Sequence, residues 1–194
     1  MGRKKTISDE DLLAAARAVF VKEGFGASTK QIARQAGVSE GVLYQRFTTK
    51  DELFFAAMVP PPADVTAMFR GSRLHGRALI RKLTLAMLDY CRDTLPVLLP
   101  LMTHPGFRFE ELAQRHPDSP LFVLRREITL FLQKEKEAGR LDSDPRGAAL
   151  AIWSVAQSVA FFERLGAHGG KFAPEILDWT IDCLWTGLQP KKGK

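Results

Sequence analysis

The sequence is poor in the residues on which most enzymes depend. Its 194 residues include four histidines and two cysteines. His75, His104, His116 and His168 show no metal-ligand spacing. No GxSxG, HExxH, phosphate-loop or dinucleotide glycine pattern occurs, and the carboxylates are scattered. Enzymatic activity is therefore not expected, and no cofactor or metal is implied. Cys91 and Cys183 lie far apart with no CxxC. They suit a reducing compartment, and core filling explains them better than a disulfide or a metal site. No apolar run approaches about 18 residues, so no membrane span is expected. The start, MGRKKTISDE, lacks an apolar signal core. These absences predict a cytoplasmic protein with no membrane partner. Period-two alternation is missing as well, which argues against strands.

What is present is helical periodicity and an uneven charge. Apolar residues make up 45% of the chain, enough for a sizeable core. Residues 1–50 carry nine Lys and Arg against five Asp and Glu, a net of +4. Residues 51–190 are nearly balanced, with sixteen basic and seventeen acidic residues. The N-terminal excess suits phosphate contact as well as an ordinary solvated surface.

Ser8 starts the first helix, with Asp9, Glu10 and Asp11 at its positive end. Leu12, Leu13, Ala16, Val19 and Phe20 form one apolar stripe, and Gly24 stops the helix. Ser28 or Thr29 caps a second helix that buries Ile32, Ala33 and Ala36. Gly37 supplies a left-handed turn, and Ser39 caps a third helix over roughly Glu40 to Phe47. Thr49 and Glu52 mark a fourth helix start. That helix carries Leu53, Phe54, Phe55 and Met58 and ends near Met58, because Pro60-Pro61-Pro62 follows. The triple proline is the expected domain boundary.

Beyond it, a helix is predicted from Gly76 to about Leu95, with Pro96 and Pro100 kinking or ending it. Pro105-Gly106 reads as a loop, and Phe109 to Arg115 as a short helix. Ser119 is expected to cap a helix from about Pro120 to Ala138. Asp144-Pro145 begins another, running to about Leu165. The last helix spans about Pro174 to Leu188.

Helix, tight turn and helix at 28–47 is the unit that places one helix in the major groove of DNA. Leu43 and Phe47 are required by the core. Glu40, Gly41, Tyr44 and Gln45 remain on the outer side, with Val42 at its border. Gln45 can pair bidentately with adenine. Val42 can touch a thymine methyl, and Gly41 allows close approach to the groove. Glu40 either accepts from a cytosine or serves the helix start. Thr29 and Lys30 begin the second helix, whose N–H groups suit a phosphate. Arg46 either contacts phosphate or pairs with an acid. Arg3-Lys4-Lys5 reads as an arm to the backbone or minor groove, or as a solvated tail.

A wider pattern surrounds this unit: Val19-Phe20, Gly24-Phe25, Ser28-Thr29, Ile32-Ala33, Ala36-Gly37-Val38-Ser39, Gly41-Val42-Leu43-Tyr44, Phe47 and Lys50-Asp51-Glu52-Leu53. In that order these residues resemble the TetR family of transcriptional regulators. The resemblance implies an all-α protein with an N-terminal homeodomain-like helix-turn-helix domain at 1–50 and a linking helix at 51–58. A helical ligand-binding and dimerisation domain would follow at 63–190. It further implies a homodimer on a near-palindromic double-stranded operator, released by a small effector. Tyr44 and Lys50 match phosphate-contacting positions of the family, and Val42 stands where many relatives have threonine. The triple proline departs from the family's unbroken fourth helix. Coupling is then expected to pass through Phe54, Phe55 and Met58 packed against the helix from Gly76.

Met and aromatic residues on segments that resemble the family's pocket suggest a largely apolar effector. They are Phe69, Met87, Tyr90, Cys91, Met102, Phe107, Phe109, Phe122, Phe131, Trp153, Gln157 and Phe161. His104, beside the Pro105-Gly106 loop, reads as a surface histidine rather than a polar anchor. For the dimer face, the helix with Ile152, Val155, Ala156 and Val159 is apolar nearly all round. Leu177, Ile181, Leu184, Trp185 and Leu188 stripe the last helix. Two such pairs would make a two-fold four-helix bundle.

Overall fold

The computed structural model describes residues 7–60, 74–167 and 169–189, apart from the side chains of Pro120 and Leu121. The expectations placed on Arg3-Lys4-Lys5, Pro61-Pro62 and Phe69 lie outside the described residues. Among those described, the regular structure is helical throughout: α1 (Asp9–Glu23), α2 (Thr29–Ala36), α3 (Glu40–Arg46), α4 (Lys50–Ala57), α5 (Gly76–Met102), α6 (Phe109–Arg115), α7 (Pro120–Glu137), α8 (Pro145–Leu165) and α9 (Pro174–Leu188). None of them is long and apolar enough to cross a membrane. The protein is all-α.

The chain divides into two compact units. The first is Met1–Pro60 with Pro96–Arg108, and the second is Pro61–Leu95 with Phe109–Lys194. In the first, α1 packs on α2 and α4, and α2 on α3. Leu12, Ala16, Phe20, Ile32, Leu43, Leu53 and Phe54 form its core, all closed to solvent. The helix boundaries follow from side chains within a few positions. The Ser8 hydroxyl accepts the Asp11 N–H at 3.0 Å. Ser28, rather than Thr29, caps α2, and Gln31 completes a capping box. Gly37 ends α2 at φ 70°, a conformation that costs an L side chain about 1 kcal/mol or more. The Thr49 hydroxyl accepts the Glu52 N–H at 3.1 Å, and the Glu52 carboxylate accepts the Thr48 N–H at 2.8 Å. At the far end of α4, Arg17 of α1 donates to the Ala57 carbonyl at 2.7 Å. That bond satisfies an acceptor left over where the helix stops before Pro60.

Of the two outcomes expected at Pro96 and Pro100, an end to the helix is the one that fails. α5 does not end or break at Pro96; it continues through Pro96 and Pro100 to Met102. Each proline removes one helical bond and crowds the preceding turn, a cost of about 3 kcal/mol. Val97 and Leu101, which follow the two prolines, are buried in the first unit. Burying each such side chain returns roughly 1.5–3 kcal/mol, which offsets most of that cost.

In the second unit α7 packs on α8, and α8 on α9. Asp144 caps α8 by accepting the Gly147 N–H at 3.1 Å, with Pro145 in its first turn. Ser119 precedes α7 but makes no capping bond, and its hydroxyl is buried without a partner. Arg92 of α5 holds Glu163 of α8 through two bonds of 2.8 and 2.9 Å. Arg81 pairs with Asp178 at 2.6 Å, and Arg77 with Asp182.

Candidate nucleic-acid interface

The outer surface of α2 and α3 is built from short-range decisions. Ser39 starts α3, its hydroxyl accepting the Val42 N–H at 3.3 Å. Leu43 and Phe47 turn inward and are buried, as the spacing predicts. That leaves Gly41, Tyr44 and Gln45 exposed and Val42 half-buried. A Cβ on Gly41 would meet only the Ser39 hydroxyl, at 3.7 Å. The protein's own packing therefore does not require glycine there.

Three polar side chains bridge α2 and α3. Thr29 donates to the Glu40 carboxylate at 2.8 Å. The Tyr44 hydroxyl donates to Thr29 at 3.4 Å. Glu40 thus neither caps α3 nor stands free; it is tethered across the turn. The periodicity of each helix alone carries no sign of this bridge.

Two of the expected basic contacts differ in kind. Lys50, at the start of α4, holds its ammonium 4.6 Å from the centre of the Phe25 ring, a cation–π contact that leaves its charge near the surface. Arg46 is committed elsewhere. It donates to Asp9 at 2.8 Å and to the Ile7 carbonyl at 2.7 Å. Of the two alternatives, pairing with an acid is the one realised, and Arg46 ties the start of α1 to the end of α3 rather than facing a phosphate. Lys30 is exposed at the start of α2.

His104 is the residue sequence reasoning missed. It is buried, not on the surface. Its ring stacks on Phe54 at 5.0 Å and meets Phe25 and Phe55 edge-on at 4.4 and 4.9 Å. Its Nδ1 accepts the Gly106 N–H at 3.0 Å. The segment after α5 is thereby fastened to α4 within the first unit. The aromatic residues Phe25, Phe54 and Phe55 were visible in the sequence; that a residue fifty positions away completes their cluster was not.

The expected pocket residues scatter. Met87, Tyr90 and Cys91 are buried on α5, and Phe122 and Phe131 are half-buried on α7. The Tyr90 hydroxyl is buried with no partner, and burial pushes the Cys91 thiol up to about 12. Met102 and Phe107 group with the first unit instead, and Met102 is 54% exposed. Phe109 is exposed too, edge-on to Phe122. Trp153 is half-buried and donates to Gln157 at 3.0 Å. Gln157 and Phe161 lie on the exposed side of α8 with Leu150 and Leu165.

The dimer stripe also needs correction. Ile152, Ala156 and Ile181 are buried within a single copy of the chain, so they cannot meet a partner. Val155, Val159, Leu177, Leu184 and Trp185 are half-buried, and the Trp185 ring closes on Gly76. The strongest apolar stripe of each helix faces its own core. A second, weaker stripe faces outward: Leu150, Phe161 and Leu165 on α8, and Ile176, Trp179 and Cys183 on α9.

The local architecture matches a known family. Residues 12–57 fit the model of the bacterial regulatory proteins of the tetR family. The N-terminal domain belongs to the TetR family. The remaining helices share the fold of solved structures of TetR-family regulators. The chain is similar to a TetR family transcriptional regulator from Pseudomonas syringae pv. tomato, with 20% identity over 95% of this chain and 98% of that one and a TM-score of 0.65. GusR of Salmonella enterica is 20% identical over 92% and 93%, with a TM-score of 0.63. NalD of Pseudomonas aeruginosa, the secondary repressor of the MexAB-OprM multidrug efflux pump, is 22% identical over 94% and 97%, with a TM-score of 0.57. At these identities the likeness concerns the fold.

Proposed function

We propose that the chain is a sequence-specific repressor, acting as a homodimer on a near-palindromic operator and released by a small, largely apolar effector. The outward face of α3 carries this reading. Gly41, Tyr44 and Gln45 are exposed on it, and Thr29, Lys30 and Lys50 surround it. In this reading Gln45 and Val42 face bases, and Gly41 lets the helix close on the groove. Lys30, Lys50 and the Thr29 backbone N–H hold phosphates, and the Tyr44 hydroxyl does so on turning away from Thr29.

The two classes are separable by experiment. Gln45→Ala changes sequence preference at one position of each half-site. Lys50→Ala weakens all sequences alike and flattens the salt dependence by about one unit. Fluorescence anisotropy on a panel of sites at several salt concentrations measures both. The same response from both variants would refute the assignment.

Two copies meet through the outward stripes of α8 and α9. Trp179 is 68% exposed, an unusual position for so large an apolar ring in a monomer. Sedimentation at micromolar concentration is expected to give a dimer, and Trp179→Glu to give a monomer. A monomeric native chain would end this reading.

The effector site lies in the second unit, around Met87, Tyr90, Cys91, Phe122 and Phe131. The Tyr90 phenol and Cys91 thiol both stay neutral at physiological pH, because burial raises each. A lining of this kind favours an uncharged ligand. Half-sites on one face of DNA repeat about every 34 Å, so a change in spacing between two α3 helices releases both. A ligand need prefer the released state by only about 1.4 kcal/mol to change occupancy tenfold.

A further inference from the structure

We infer that Glu40 is a specificity-determining residue that reads a cytosine in each half-site. The inference rests on α3 being the groove helix.

A carboxylate at the first position of a helix usually serves the helix itself, by capping or by facing the positive end. Here the cap is Ser39, whose hydroxyl accepts the Val42 N–H. Glu40 is instead drawn across to α2, where its Oε1 accepts from Thr29 at 2.8 Å. Tyr44 donates to the same Thr29 hydroxyl at 3.4 Å. The side chain is exposed, yet held in one place by a neighbour. A group held before binding gives up less conformational freedom on binding. Among the described residues Oε2 accepts no hydrogen bond, so it is available as an acceptor.

The chemistry of that acceptor is narrow. An ionised carboxylate cannot donate. Beside DNA it is repelled by phosphates and by base acceptors, so it is tolerated only opposite a donor. The major groove offers two, the N4 amino group of cytosine and the N6 amino group of adenine. Adenine places the N7 acceptor beside its amino group, which suits an amide such as Gln45 and repels a carboxylate. Cytosine carries no acceptor beside N4. A wrong base leaves the carboxylate unpaired in the groove, which is more costly than an absent bond. Discrimination of roughly 5- to 150-fold at that one position is the expected range for a base contact of this kind.

The test is selection from randomised double-stranded DNA with the full chain, its Glu40→Gln variant and its Glu40→Ala variant, each checked by thermal melting. The native chain is expected to fix a cytosine at one position of each half-site. Glu40→Gln should move that position to adenine. Glu40→Ala should flatten it, with every other position unchanged. If Glu40→Ala fails to melt cooperatively, the isosteric Glu40→Gln carries the test. A native consensus that neither variant alters, with affinity shifted equally for all sequences, overturns the inference and leaves Glu40 as a tether between α2 and α3. A native chain that selects no consensus at all overturns the reading of α3 as well, so the two failures are told apart.

Discussion

Replacing Phe54 by alanine is expected to destabilise the first unit by about 3–5 kcal/mol, the range for deleting a fully buried aromatic ring. Phe54 is closed to solvent at the centre of the aromatic cluster. It meets Phe20 at 5.0 Å, Phe25 at 5.2 Å, Phe55 at 5.7 Å and His104 at 5.0 Å. Its removal withdraws a contact from α1, from the α1–α2 loop, from α4 and from the segment after α5 together. A domain typically has about 5–15 kcal/mol in total, so one substitution takes a large share. Hydrogen exchange should quicken across α1 to α4 and around His104, and DNA binding should fall at temperatures where the native chain still binds. Phe54→Leu should recover part of the loss by filling some of the cavity. A change below about 1 kcal/mol for Phe54→Ala would mean the cluster collapses without penalty, contrary to its close packing.

Arg92→Met is expected to cost the second unit a similar amount, by a different cause. Arg92 holds the Glu163 carboxylate with two parallel bonds, and the Phe172 N–H donates a third at 2.9 Å. The Glu163 side chain is only 6% exposed. Without Arg92 it is a nearly buried charge lacking its counter-ion, a loss of about 3–5 kcal/mol. The pH dependence identifies the mechanism. Hydrogen bonding to Arg92 first, and its charge besides, hold the Glu163 carboxyl below the usual carboxylate range. A carboxyl lowered in the folded state contributes stability that is complete above its unfolded value, about 4.3, and is lost as pH falls through the folded value. Glu135, lowered by its bond to Arg140, adds to the same acid loss. The gap between native chain and variant should therefore be widest near neutral pH and narrow in acid, where Glu163 takes up a proton. Arg92→Lys keeps the charge but not the paired bonds, and should fall between. Thermal melting from pH 7 to well below pH 4 measures all of this, and a gap that widens in acid would rule out the ion pair as its source.

The two substitutions lie at opposite ends of what could be read in advance. Phe54 announces itself: a phenylalanine at the inward spacing of a capped helix, in a region whose pattern is highly specific. Glu163 and Arg92 do not, because 71 residues separate two side chains that each look like solvated charges. The same division runs through the outer surface of α2 and α3. The exposure of Gln45 and Tyr44 was legible because helical spacing alone says which residues the core leaves outside, whereas Lys50 was singled out only by the family resemblance. The Thr29–Glu40 tether and the commitment of Arg46 to Asp9 were not, because each depends on where a neighbouring helix comes to rest.

The sequence by itself determined where the helices lie, most of their caps and the identity of the N-terminal domain, though not the Ser119 cap or the end of α5. A cap, a stop at glycine and an inward stripe are decided by residues within about four positions of one another, so they need no knowledge of the rest of the chain. Tertiary structure alone decided three matters. It carried α5 through Pro96 and Pro100, it buried His104 among three phenylalanines, and it turned the strongest stripes of α8 and α9 toward their own core. In each the deciding free energy comes from burial against residues far away in the chain. Local propensity, worth a few kcal/mol at most, is offset by it.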